Sequence, residues 1–212
     1  MKGLRVLSFV LSFVLATSAL GFAKTLCEAA KKGDTVAVAK FLDSGMDVDT
    51  KDDLGRPPLF YAASYGRVAT VKLLLQRGAD VNWKRDGWTA LIAAATVKNG
   101  VEGVTLLIAA GADVKAYGSQ ALKLAMFSGM LSGSIDTVKL LIAAGSDVNA
   151  VNDHGVTALW QAAFFNATDF AKLLIAAGAD VNFTANGASV LACARARKSQ
   201  EMIALLTAAG AK

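Results

Sequence analysis

Apolar and polar positions along the chain alternate between two helical rhythms separated by glycine. In residues 55–82, Leu59, Ala62 and Ala63 mark one face of a short helix, and Pro58 suits its first turn, where a missing N–H costs nothing. Gly66 breaks that helix. Val68, Val71, Leu74 and Leu75 then recur at the spacing of a second, longer helix. Gly78 stands where a left-handed residue closes a helix, and Ala79-Asp80-Val81-Asn82 reads as an extended stretch leading to the next turn. The pattern predicts a short helix, a turn, a longer helix and a protruding hairpin-like finger.

The same unit returns along the chain. Gly45, Gly78, Gly111, Gly145, Gly178 and Gly210 are spaced 33, 33, 34, 33 and 32 residues apart. Asp47, Asp80, Asp113, Asp147 and Asp180 follow the first five glycines, each succeeded by Val. One helix pair cannot bury its apolar face alone, whereas stacked neighbours can. The period predicts an all-α solenoid of about six helix-turn-helix repeats, near residues 24–50, 51–83, 84–116, 117–150, 151–183 and 184–212. Both end units read as caps, and Arg195, Arg197 and Lys198 on the last read either as a solvated outer face or as binding residues. The fourth is irregular: Gly111 to Gly118 spans seven residues, and Gly118 to Gly145 spans 27. That spacing predicts a clipped finger and an enlarged turn over Ser128–Ser134. Its Met130-Leu131 centre reads either as a tolerated surface insertion or as a contact point.

The units resemble ankyrin repeats. Residues 55–63 (GRPPLFYAA), 87–95 (GWTALIAAA) and 155–163 (GVTALWQAA) follow the family's G-x-T-P-L-H-x-A-A opening, and A-D-V-N closes two units. The resemblance covers nearly all of residues 24–212. It departs at the histidine of the opening motif, where Phe60, Ile92, Lys123, Trp160 and Cys193 stand instead. In the family that histidine helps to bridge neighbouring repeats by hydrogen bonding, so packing is expected to carry more of the bridging here. Thr89 and Thr157 remain as helix N-caps.

The first 23 residues read as a secretion signal: Lys2 and Arg5, an apolar run from Val6 to Ala16, and Gly21-Phe22-Ala23 before a cut near Ala23. Cleavage would place the protein in the periplasm or outside the cell, with no membrane attachment. Retention would leave it anchored as a scaffold. Removing the signal takes two of 22 basic residues, leaving 20 against 17 acidic, or +3. So mild and interspersed a charge argues against nucleic acid. Cys27 and Cys193 lie at opposite ends of the mature chain, about 50 Å apart in a linear stack of helices, far beyond disulfide reach. Both are expected to be free, buried thiols.

Nothing in the sequence assembles a catalytic constellation, and no cofactor or metal is implied. His154 is the single histidine, Asp52-Asp53 falls in a turn, and no phosphate-cradling glycine motif occurs. The candidate chemistry is aromatic. By the ankyrin resemblance, the positions after A-A and around the finger tips are those that contact partners. Tyr65, Trp88, Phe127, Phe164 and Phe165 occupy them, with Trp83 and Phe183 where the chain enters successive fingers. Exposed large rings are typical interface hot spots. Arg56, Arg85 and His154 are candidate polar contacts beside them. The expected function is binding another protein, and the capped ends favour a monomer. The resemblance to exported bacterial ankyrin proteins implies support of a partner enzyme such as a catalase. The alternatives are a periplasmic immunity protein that neutralises a toxin and the membrane-anchored scaffold.

Overall fold

The structure, a computed structural model, describes residues 25–98, 100–132, 135–152 and 154–212. The predicted signal and its cleavage point lie outside the described residues, as do Gly133 and Ser134 of the predicted turn and Asp153 of a finger tip. The described residues form twelve helices and two short hairpins, in two compact units divided after Ala94. The first unit holds α1 (25–32), α2 (Thr35–Asp43), α3 (Pro58–Ser64), α4 (Val68–Gln76), β1 (Lys84–Arg85), β2 (Trp88–Thr89) and α5 (Ala90–Ala95), whose last residue falls past the division. The second holds α6 (Val101–Ala109), α7 (Ala116–Ser132), α8 (Asp136–Ala143), α9 (Ala158–Phe164), α10 (Thr168–Ala176), β3 (Thr184–Ala185), β4 (Ala188–Ser189), α11 (Val190–Ala196) and α12 (Gln200–Ala208).

Local chemistry sets the helix boundaries. The Thr89 and Thr157 hydroxyls accept from the amides of Ile92 (3.1 Å) and Trp160 (3.3 Å), so both expected N-caps are present. Ser189 and Ser199 cap α11 and α12 in the same way. α3 starts on the extended Pro57 with Pro58 in its first turn. At the far end of α4, Gly78 has φ +85°. Its amide donates to the Leu75 carbonyl, and the Ala79 amide donates to that of Leu74. This paired closure of a helix needs a left-handed residue at the glycine. Gly178 and Ala179 close α10 with the same two bonds.

Packing follows the predicted faces. Leu59, Val71, Leu74 and Leu91 are buried in the first unit, and Leu107, Leu122, Leu141, Leu159 and Leu174 in the second. Within each unit these inward residues, leucines apart from Val71, are shared between successive layers. The fingers turn by two chemistries. Arg85-Asp86-Gly87-Trp88 and Ala185-Asn186-Gly187-Ala188 are two-residue hairpins whose tips, Asp86 and Asn186, have φ near +50°. Asp-Gly and Asn-Gly favour this left-handed pair, which matches strand twist. Asp52 and Asn152 instead open wider tips, their side-chain oxygens accepting from Leu54 and Arg56, and from His154 and Val156.

The repeated Asp after each glycine is scaffold. Its carboxylate accepts the amide two residues on, at 2.9–3.0 Å, in Asp47, Asp80, Asp113, Asp147 and Asp180. Asp49, Asn149 and Asn182, which carry this amide, also reach the following repeat through their side chains. Asp49 accepts from the amide of Asp80 in the first unit (3.0 Å), and Asn149 from that of Asp180 in the second (2.8 Å). Asn182 accepts from Lys212 (2.9 Å).

The fourth repeat breaks this series, which explains its odd length. Lys115 stands where Asp49, Asn149 and Asn182 stand elsewhere, and it has no acceptor to offer. The Asp147 amide turns to the buried Ser119 hydroxyl instead (2.8 Å). Tyr117 and Ser119 carry positive φ to bring that hydroxyl inward. The clipped finger is therefore real. The enlarged turn is shorter than the glycines at 129 and 133 suggested, because α7 runs on through Ser132. Gly129 is buried in that helix, and a Ser128 hydroxyl bond to the Thr96 carbonyl (3.2 Å) ties it to the preceding repeat.

Candidate partner-binding surface

The short helix of each repeat carries its outward residues at the positions just after the buried Ala-Ala pair. In the first unit these residues form a packed cluster. Phe60 is buried, with the rings of Tyr61, Trp83 and Trp88 set edge-on to it at 5.6, 5.4 and 6.4 Å. Trp83 and Trp88 are therefore half-buried and support one another through Phe60, so they form a wall and not an open stripe. The Arg56 guanidinium lies 5.1 Å from the Phe60 ring centre. Arg85 lies across Gly55, which has φ +69° and whose missing Cβ leaves room for the guanidinium. The Tyr61 phenol donates to Asp52 (2.5 Å), and burial together with that bond pushes its pKa up to about 12. Tyr65 alone of these rings is well exposed, with the Lys31 ammonium 5.4 Å from its centre.

In the second unit the rings are open. Phe127 is 50% exposed and Phe165 53%, and both line two adjoining grooves of about 560 and 310 Å³. The larger runs past Met130, Ile135 and Phe170 to Asp169 and Glu201. The smaller is edged by Gln120, Lys123, Gln161 and His154. Phe164 stacks on Trp160 at 5.4 Å with the ring planes 13° apart, and stands edge-on to Phe165 at 5.1 Å. The Arg197 guanidinium lies over the Phe164 ring, 3.8 Å from its centre. Sequence reasoning sets Arg197 with Arg195 and Lys198 on a solvated outer face or in a binding role, and does not place it against Phe164. Arg197 closes α11 as Phe165 closes α9, and that shared register was the available signal. Phe183 is half-buried at the entry to a finger, apart from these contacts.

The positions of the absent family histidine also have an answer. The Lys123 ammonium donates to the Val151 carbonyl (3.1 Å), and the Trp160 indole N–H to that of Ala188 (3.4 Å). Each reaches 28 residues ahead, into the next repeat's finger. Hydrogen-bonded bridging thus survives at two positions of the second unit with other donors, beside the packing expected to carry more of the load. Cys27 stands at the same register in the first repeat, its thiol directed at the Arg56 carbonyl (3.6 Å). Burial, reinforced by the Asp52 carboxylate, pushes the Cys27 pKa up to about 12. Burial also raises that of Cys193, and both cysteines are free, buried thiols. Among the described residues no three His, Cys, Asp or Glu side chains gather where a metal ion could be held, and no helix is long and apolar enough to cross a membrane.

Periodic helix pairs, polar staples between layers and open rings on the short helices define a helical-repeat protein with an exposed aromatic face. A family model of ankyrin repeats in three copies matches twice, over residues 26–118 and 122–212. The chain belongs to the ankyrin-repeat family. Among solved structures it is similar to an ankyrin repeat domain from Acinetobacter baumannii AYE, at 31% identity and a TM-score of 0.79. That likeness covers 89% of this chain and 98% of the other. No match is found among curated proteins. Ankyrin repeats are protein–protein interaction modules, and the family is typically non-catalytic.

Proposed function

We propose that this protein is a non-catalytic module that binds one partner protein in the bacterial periplasm, through the short-helix face of its second unit. The observation that carries the reading is the exposure of Phe127 and Phe165 beside two grooves on a face that the neighbouring repeats leave uncovered. Rings half out of water on a folded domain cost free energy that a partner's apolar surface recovers, and such residues dominate interface energetics. The periplasmic setting rests on the N-terminal pattern of Lys2 and Arg5, the apolar run and Gly21-Phe22-Ala23. Support of an enzyme, a catalase among the candidates, is the role that this setting and family suggest.

The test is capture from native periplasmic extract on the immobilised protein, beside its F127A/F165A variant. The expected result is one protein retained by the natural chain and lost by the variant, with circular dichroism and melting temperature unchanged. Equal retention by both would show that these rings are not the binding surface. A partner found only among foreign toxins would replace enzyme support with immunity.

A further inference from the structure

The charges of the second unit are sorted by layer. Its short helices α7, α9 and α11 contain no Asp or Glu, while Lys123 and Arg195 lie on them and Arg197 and Lys198 follow directly. Its long helices hold both signs: Lys139 pairs with Asp136 (3.1 Å), Lys172 with Glu201 (2.9 Å) and Asp169 (3.8 Å), and α6 carries Glu102. Among the described residues Lys123, Arg195, Arg197 and Lys198 make no ion pair. The short-helix layer of this unit is therefore cationic among the described residues, while Asp169 and Glu201 of the long helices line the larger groove and share Lys172.

Arg197 is held for use. Its guanidinium rests on the Trp160–Phe164 column, 3.8 Å above the Phe164 ring. Stacking fixes the plane of a guanidinium and leaves its N–H edge available for a carboxylate. A fork held in place loses less entropy on binding than a free side chain. Phe165 stands 5.1 Å from Phe164 and shares its grooves with Phe127, so apolar seats continue from this cation.

We propose that this face recognises an acidic segment of a partner protein, with a carboxylate on Arg197 and neighbouring apolar side chains over Phe165 and Phe127. The inference deepens the binding-module reading and rests on it. Charge complementarity selects the partner at the end of α11, where a basic segment would meet Arg195, Arg197 and Lys198, none of them ion-paired among the described residues.

The experiment uses the protein expressed from the full sequence and four labelled probes followed by fluorescence anisotropy. Three are ten-residue peptides alternating Phe with Glu, Gln or Lys, and the fourth is a ten-nucleotide oligo-dT. The Phe-Glu peptide should bind, weaken with added salt, and be preferred to the Gln and Lys peptides by about tenfold or more. R197Q should lower that affinity about tenfold. R197K should recover only part of it, since an ammonium keeps the charge without the planar fork. K139Q, on a long helix beside Asp136, should change nothing. Equal affinity for the Gln peptide, no effect of R197Q, or no binding of any peptide at millimolar concentration overturns the proposal. Oligo-dT binding as tightly as the Phe-Glu peptide overturns it in favour of nucleic acid. Capture of a partner that F127A/F165A loses but R197Q retains would leave the module standing while the acidic recognition falls.

Discussion

Replacing Asn149 by Ala isolates one staple between neighbouring repeats. The Asn149 side chain accepts from the Asp180 amide (2.8 Å) and donates to the Gly178 carbonyl (3.2 Å), so one amide group holds both ends of the next repeat's closing turn. Both bonds are exposed, which decides the magnitude. Water can replace what the side chain gave, so no desolvation penalty is left behind. The loss is then the net worth of two exposed bonds, about 1 kcal/mol in total, near the low end of the usual range. For a chain of this size that lowers the melting temperature by about 2–4 °C. Because repeat stacks can lose stability locally, the sharper assay is amide hydrogen exchange. The Asp180 amide should exchange about fivefold faster in the variant, 1 kcal/mol being about that factor. Amides inside α4, in the other unit, should keep their protection. N149D separates the two bonds, since it retains an acceptor for the Asp180 amide and loses the donor to Gly178. Unchanged Asp180 protection in N149A would refute the staple.

Three further outcomes follow from the same structure. L141A, at a fully buried position shared between layers, should destabilise the second unit by about 3 kcal/mol in urea titration, and a change below about 1 kcal/mol would mean that site collapses freely. D49N should stabilise the fold at neutral pH: burial raises the Asp49 pKa above 3.8, so the folded state holds the charged form at a cost that disappears only once both states are protonated. The advantage of D49N should accordingly shrink as pH falls through the raised folded value toward 3.8, and an advantage that grows with acid would contradict the sign. Cys27 and Cys193, buried and with raised pKa values, should react with an aromatic disulfide reagent at pH 8 only as fast as the protein opens, and rapid labelling of the native chain would place either thiol at the surface.

The fold was legible because its determinants are local and repeated. Glycine at a left-handed helix end, threonine at an N-cap and leucine at each inward position act within a few residues, and six copies average out any one exception. The site was legible only in part, because exposure is a tertiary property. The same aromatic choice gave a packed wall in the first unit and open rings in the second. The difference is Phe60 against Trp160. Phe60 sinks into the core and draws Trp83 and Trp88 onto itself, whereas Trp160 spends its indole N–H on the Ala188 carbonyl and leaves its face for Phe164. No period in the sequence distinguishes those outcomes.

The fourth repeat shows how function and irregularity can share a cause. Losing the acceptor at Lys115 removed one staple, and the chain recovered it by bringing Ser119 inward at the expense of two positive φ angles. The finger shortened, and α7 lengthened to Ser132, about twice the length of the other short helices. That longer helix carries Phe127 and Met130 into the larger groove, and its Lys123 reaches across to Val151. A regular repeat of seven helical residues, like α9, would end near the level of Phe127 and leave Met130 in a turn. The moved scaffold bond and the groove wall beside Phe165 thus sit on one helix. Restoring the common pattern with K115N would offer the Asp147 amide its usual acceptor, compete with Ser119 and release the left-handed backbone at Tyr117. Stability should then change little while the groove side of α7 loosens, so partner affinity would fall although no contact residue had been altered.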